Sequence, residues 1–184
     1  MLKDKPQITN KVSLTLFWGF KMAELLLPHA AESSERLAVA DEFGSTNWKS
    51  FNQRVNQLIH ALRRQGLKTG DTFSVLSGNR REYVEAFAAA AHGGWLLVPI
   101  NWHLVPSEIC YILENSESKA LLIDSRFYEL GLRAISLKKA SSISPVVVIG
   151  EHETNYSTQL KNILTYEQFL AGEKSEEPEE QNRG

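Results

Sequence analysis

The sequence predicts an α/β fold: parallel-sheet layers covered by helices, with an early β-hairpin. Three observations carry this prediction. Short apolar segments at residues 72–77 (TFSVLS), 95–100 (WLLVPI), 120–123 (ALLI) and 146–149 (VVVI) show little polar alternation, the pattern of strands buried on both faces. Segments with helical periodicity separate them, as right-handed crossovers between parallel strands require. Glycines stand where helices should stop, at Gly66 and at Gly93 and Gly94.

The elements follow in order. Residues 37–40 (LAVA) and 47–49 (NWK) flank 41–46 (DEFGST) and read as a hairpin whose loop is longer than two residues. Residues 50–65 place Phe51, Val55, Leu58, Ile59 and Leu62 on one helical face, with Arg54, Gln57 and Arg64 on the other. Gly66 suits the positive φ that follows a helix end. A second helix, about 80–91, puts Tyr83, Phe87 and Ala91 on one stripe beside Val84 and Ala88, and its alanines allow close approach to a sheet. Pro99 cannot donate to a ladder and belongs at the end of its strand. Pro106 suits the first turn of a helix carrying Ile109, Ile112 and Leu113. A helix near 126–139 leads to the fourth strand. Thr165 and Gln168 then form a capping box before a short final helix.

Composition excludes several classes. A chain of 184 residues, 42% apolar and 23% charged, can bury a core of ordinary size. Its net charge of −2 and scattered basic residues give no electrostatic basis for binding nucleic acid or an anionic membrane. Arg63, Arg64, Arg80 and Arg81 read as solvated helix positions. The lone Cys110 cannot form an intramolecular disulfide, fits a reducing, cytoplasmic setting, and lies in an apolar helical pattern as a buried thiol.

The ends differ from the middle. Residues 12–20 (VSLTLFWGF), preceded by Lys3, Lys5 and Lys11, superficially resemble a signal peptide. They are too short to span a bilayer and no small-x-small cleavage site follows, so no transmembrane segment or export is expected. Met22 offers a second start, which makes 1–21 an appendage or a misassigned start. Residues 172–184 form an acidic flexible tail or linker: 174–181 (KSEEPEEQ) hold four carboxylates, a proline and no apolar side chain. Such a segment is expected to bury nothing; the alternative is an acidic docking tail.

Motifs with chemistry are missing from the residues themselves. There is no G-x-G-x-x-G after a strand, no Walker-type phosphate loop and no G-x-S-x-G nucleophile turn. His29, His60, His92, His103 and His152 have no metal-ligand spacing with one another or with Cys110. His60 falls on a helix rim, and a charged His92 would complement a helix C-terminus. His103 lies in a strand-end loop without an acid or nucleophile nearby in sequence, beside Trp102, which is expected to be exposed. No catalytic, cofactor-binding or metal-binding residue is assigned.

A resemblance goes further than these patterns. Residues 47–51 (NWKSF), 66–71 (GLKTGD), 79–83 (NRREY), 93–101 (GGWLLVPIN), His103-Leu104 and 108–113 (EICYIL) occur in an order and spacing that resemble the start of adenylate-forming (AMP-binding) enzymes, closest to fatty-acyl-CoA synthetases. The resemblance covers about residues 25–170 and implies a partial AMP-binding N-terminal domain over 22–171. In that family ATP and a carboxylate give an acyl-adenylate, and coenzyme A then displaces AMP to form a thioester. The resemblance implies ATP, Mg and CoA for the intact enzyme, in the cytoplasm or peripheral to a membrane. The family's phosphate loop with its lysine, its adenine site, its ribose-binding Asp and its distant catalytic Lys have no counterpart in these residues. The expectation is therefore a truncated N-terminal portion, inactive alone, binding none of these cofactors, whose partner is the remainder of the ligase chain. Gly70 and Asp71 set a turn, Asn79 caps the following helix, and Pro99 and Asn101 shape a strand exit. His103 stands where relatives often carry Arg. Cutting the fold at this point predicts exposed apolar surface and self-association. The alternative from another class is a non-catalytic α/β interaction or regulatory module derived from the same framework.

Overall fold

The computed structural model describes residues 22–137, 143–151 and 163–179. Its element order is α1 (Met22–Glu32), β1 (Leu37–Asp41), β2 (Gly44–Asn47), α2 (Trp48–Arg64), β3 (Thr72–Leu76), α3 (Arg81–Gly93), β4 (Leu96–Ile100), α4 (Pro106–Asn115), β5 (Ala120–Asp124), a 3-10 turn (Ser125–Phe127), α5 (Tyr128–Ser136), β6 (Val146–Ile149), β7 (Ile163–Thr165) and α6 (Tyr166–Leu170). β1 and β2 pair antiparallel, and the other five strands form one parallel sheet in the order β4-β3-β5-β6-β7. The predicted α/β class and the sheet's parallel sense are what the structure has.

Alternate strand residues feed two cores. Phe73, Val75, Leu122, Val147 and Ile149 pack with α2, α3 and α6 on one face, while Leu76, Leu121, Ile123 and Val146 pack with α4 and α5 on the other. That period-two division is why the strand sequences read as continuous apolar runs. Cys110 is buried in the second core, as its apolar surroundings in sequence predict. No helix among the described residues is long and apolar enough to cross a membrane.

α2 follows its sequence closely. Asn47 caps it, its side chain accepting from Ser50 N–H at 2.8 Å, and Phe51, Val55, Leu58, Ile59 and Leu62 are all buried. At its end Gly66 has φ +92°, and Leu67 N–H closes on Leu62 O at 3.2 Å. The Thr165 and Gln168 capping box at α6 is likewise present.

Several expectations are corrected. The hairpin turn has only two residues, Glu42 and Phe43, because Asp41 pairs with Gly44 and its Oδ1 accepts from Phe43 N–H at 2.9 Å. Asn79 is exposed and does not cap α3; the first free N–H of that helix, on Arg81, donates instead to Asp41 Oδ2 at 2.8 Å. The stripe read on α3 is split by the structure. Glu82, Glu85, Ala86, Ala88, Ala89 and Ala90 are buried and Tyr83 packs partly against the core, whereas Val84, Phe87 and Ala91 are exposed. Small side chains let this helix lie close to the sheet, as its alanines predict, and leave Val84 and Phe87 outside.

β4 is an edge strand, and only Ile100 in it is fully buried, so the expected second buried strand is half open. Pro99 lies within it rather than at its end. Leu96 N–H donates inward to Asp71 O, so alternation turns the nitrogens of 97 and 99 outward, and proline removes one donor from the open edge. β7, three residues long, has no distinct signal in the sequence. Finally, residues 173–179 lie against α2 with Pro178 buried, contrary to the expectation that the acidic segment buries nothing. Residues 1–21 and 180–184, and His152, lie outside the described residues.

Candidate functional site

Ligands of open parallel sheets bind beyond the carboxyl ends of the strands, and here that end carries the densest polar cluster. Asp124, the last residue of β5, has no exposed surface. Its carboxylate accepts from Arg126 N–H at 3.1 Å and Arg126 Nη2 at 2.7 Å, with Arg80 Nη1 at 3.8 Å. Burial alone would push this carboxyl up, but the Arg126 hydrogen bonds and the charges of Arg126 and Arg80 outweigh it and hold it below the ordinary aspartate range. Arg80 also pairs with Glu82 at 3.1 Å, and Arg126 with Glu42 at 3.0 Å.

The hairpin tip closes over these groups. The Phe43 ring has the Arg80 guanidinium 4.0 Å from its centroid and that of Arg126 at 5.4 Å. Two glycines make room: a Cβ on Gly78 would stand 2.7 Å from Arg126 Nη2, and one on Gly150, where φ is +91°, 3.0 Å from Arg80 Nη1. Beyond Arg126 the rim continues as stacked rings, with Trp102 5.0 Å from Phe127 and 3.5 Å from His103. Asn101 Oδ1 accepts from His103 N–H at 3.0 Å and lies at the same distance from its Nδ1. An open groove of about 580 Å³ beside the cluster is lined by Asp41, Asn79, Arg80, Tyr83 and Val84 among others.

A second cluster lies under α3. Glu85, 1% exposed, accepts from Arg54 Nε at 2.7 Å and from the Tyr166 hydroxyl at 2.8 Å. Arg54 also holds Glu167 with two bonds of 3.0 and 2.7 Å, which lower that carboxyl's pKa. Burial pushes the Glu85 carboxyl up against the opposing effect of Arg54, and burial beside Glu85 raises the Tyr166 hydroxyl well above its usual value.

These groups bind one another. At the carboxyl end the Arg80 and Arg126 charges are answered by Asp124, Glu82 and Glu42, leaving no unpaired cation in the cluster for a phosphate. Among the described residues no three His, Cys, Asp or Glu side chains are placed to hold a metal ion. Each guanidinium of the cluster thus already faces a carboxylate of this chain. What the arrangement does is rivet the hairpin to the sheet and to α3.

The sequence reading assigned none of these residues and took Arg80 and Arg81 as solvated. Arg80 is in fact 7% exposed, and Arg81 reaches Asp41 at 3.4 Å. The available signal was an aspartate ending an all-apolar strand with an arginine two residues on. Of the histidines, His29 stacks on Trp48, His60 bonds Glu176 O, and His92 stands 3.7 Å from Glu177. Burial lowers the His92 pKa against the opposing charge of Glu177.

Comparison with known proteins places this framework. Residues 27–183 match the family model of the AMP-binding enzyme. The chain belongs to the AMP-binding enzyme family. Among curated relatives it is 29% identical over 147 residues to the 3-oxocholest-4-en-26-oate–CoA ligase of Rhodococcus rhodochrous, covering 79% of this chain and 26% of that protein. It is 30% identical over 142 residues to 4-hydroxybutyrate–CoA ligase 2 of Metallosphaera sedula, covering 75% of this chain and 25% of the relative. The AMP-binding portion seen here thus spans about a quarter of the length of these relatives. Among solved structures, the anthranilate CoA ligase AuaEII in complex with anthranoyl-AMP superposes with a TM-score of 0.73 at 20% identity, over 85% of this chain and 29% of that one. The Mycobacterium tuberculosis fatty acyl CoA synthetase gives 0.68 at 21%, over 86% and 29%. At these identities the structural likeness is one of fold.

Proposed function

We propose that this chain is the N-terminal portion of an ATP-dependent acyl-CoA synthetase and that its 184 residues do not catalyse the reaction by themselves. The family match over residues 27–183, to relatives that are CoA ligases and of which it spans about a quarter, carries this reading. In the intact enzyme ATP, Mg and CoA serve the conversion of a carboxylate to an acyl-adenylate and then to a thioester. That chemistry needs donors and a cation aimed at the transferring phosphoryl group. The charge-balanced clusters at Asp124 and Glu85 support a framework role instead, since every guanidinium in them is already engaged.

The test is pyrophosphate release from ATP and Mg with a panel of short, medium and long carboxylic acids. The expected result with the 184-residue chain is no release above buffer. Turnover by the purified chain would overturn the claim of inactivity. A non-catalytic partner protein captured at a defined ratio, with no ligase activity in any longer form, would favour the interaction-module reading.

A further inference from the structure

Residues 173–179 have no helix or strand of their own, yet their contacts with α2 follow an order. Gln57, His60 and Arg63 lie three residues apart on that helix. Their side-chain nitrogens meet the carbonyl oxygens of Glu173 at 3.4 Å, Glu176 at 3.2 Å and Glu179 at 3.0 Å, which are also three apart. Helix positions i and i+3 share a face, so the three side chains reach the segment from one side of α2. The helix therefore reads the backbone of the segment, not a particular set of side chains.

Side chains add the anchor. Asn56 Nδ2 donates to Ser175 O at 3.0 Å, and Asn52 and Asn56 both donate to Glu177 Oε1, at 2.7 and 3.0 Å. His92 Nε2 of α3 faces Glu177 Oε2 at 3.7 Å, and Arg64 pairs with Glu173 at 2.7 Å. A carboxylate only accepts, so both asparagines turn their amide nitrogens toward it. Their Oδ1 atoms are then buried without a partner among the described residues. Charge-assisted bonds hold the segment, while the unpaired oxygens offset part of that gain.

We propose that the polar face of α2, completed by His92, is a docking groove for an extended acidic segment, and that its occupant is this chain's own residues 173–179. So seated, the segment acts as a strap that directs the polypeptide leaving α6 along α2 toward Arg63. The argument stands on these contacts and is independent of the ligase reading.

The strap carries its own reporter, because glutamyl endopeptidase cuts after Glu173 and Glu176. In the full chain these bonds should be cut more slowly than in a free peptide of residues 171–181. Asn52→Ala combined with Asn56→Ala leaves the cleavage sites intact and should raise the cutting rate about tenfold, as loss of a charge-assisted bond implies. Gln57→Ala combined with His60→Ala, away from the core, should raise it by a smaller factor with the melting temperature unchanged. Cutting of the wild-type chain at the free-peptide rate overturns the proposal, as does an unchanged rate in both variants. Protection that grows with protein concentration would put a second copy's segment in the groove and overturn the assignment to the same chain.

Discussion

α2 and α3 cover the same face of the sheet, and they use opposite sides of their sequences to do it. In α2 the bulky apolar stripe is the buried one: Phe51 is 3% exposed and Leu58 fully buried. In α3 Val84 and Phe87 are outside, Phe87 at 54% exposed, while alanines and two glutamates face inward. Periodicity identifies a stripe in both helices, but it identifies the inward side only when water is the other neighbour. In α3 the inner contacts are made by side chains small enough for close packing, and Phe87 is left outside.

This contrast can be broken in measurable steps. The largest effect is expected for Phe51→Ala, which empties a packed site: about 3–5 kcal/mol lost in chemical denaturation. A loss under about 1 kcal/mol would show that α2 does not anchor the core. Next comes the inner face of α3. Glu85→Ala removes the acceptor of both Arg54 and Tyr166 and should cost about 3 kcal/mol, whereas Glu85→Gln, which keeps an acceptor, should cost about half as much. Equal losses for the two would mean that shape rather than hydrogen bonding holds α3 in place. The smallest stability effect is expected for Phe87→Ser, within about 0.5 kcal/mol of wild type. Its readout is association: the wild-type chain should self-associate in sedimentation velocity, and Phe87→Ser should shift it toward monomer. A wild-type monomer that melts cooperatively at high temperature would contradict the exposed-surface reading.

The same contrast explains what the sequence made legible. Elements whose neighbours are water and one core could be read: α2 from its stripe, Gly66 from the φ it needs, the capping box at Thr165 and Gln168. Features set by distant partners could not. Asn79 has the right chemistry for a cap, but Asp41 supplies the acceptor. Arg80 sits at an apparently solvated helix start, yet Asp124 and Phe43 from two other segments enclose it together with Glu82 two residues on. β4 reads as buried because its composition suits a covered strand, and only the sheet order shows it at the edge. The acidic segment is polar throughout, so its seat on α2 depends on carbonyl groups, which composition does not encode. The family resemblance was legible because it lies in the order of turns and helices, which survives at about 29% identity.

Asp41 divides its two oxygens between a turn beside it and a helix start 40 residues away. That one carboxylate therefore ties the hairpin turn to the first turn of α3, while the Arg54–Glu85 bond holds the helix further along. Fraying at the turn and fraying at the helix start are thereby coupled through a shared acceptor. A defect in a two-residue turn thus reports at the far side of β3, and the small hairpin at the margin of the sheet acts as a cooperativity device for the larger layer.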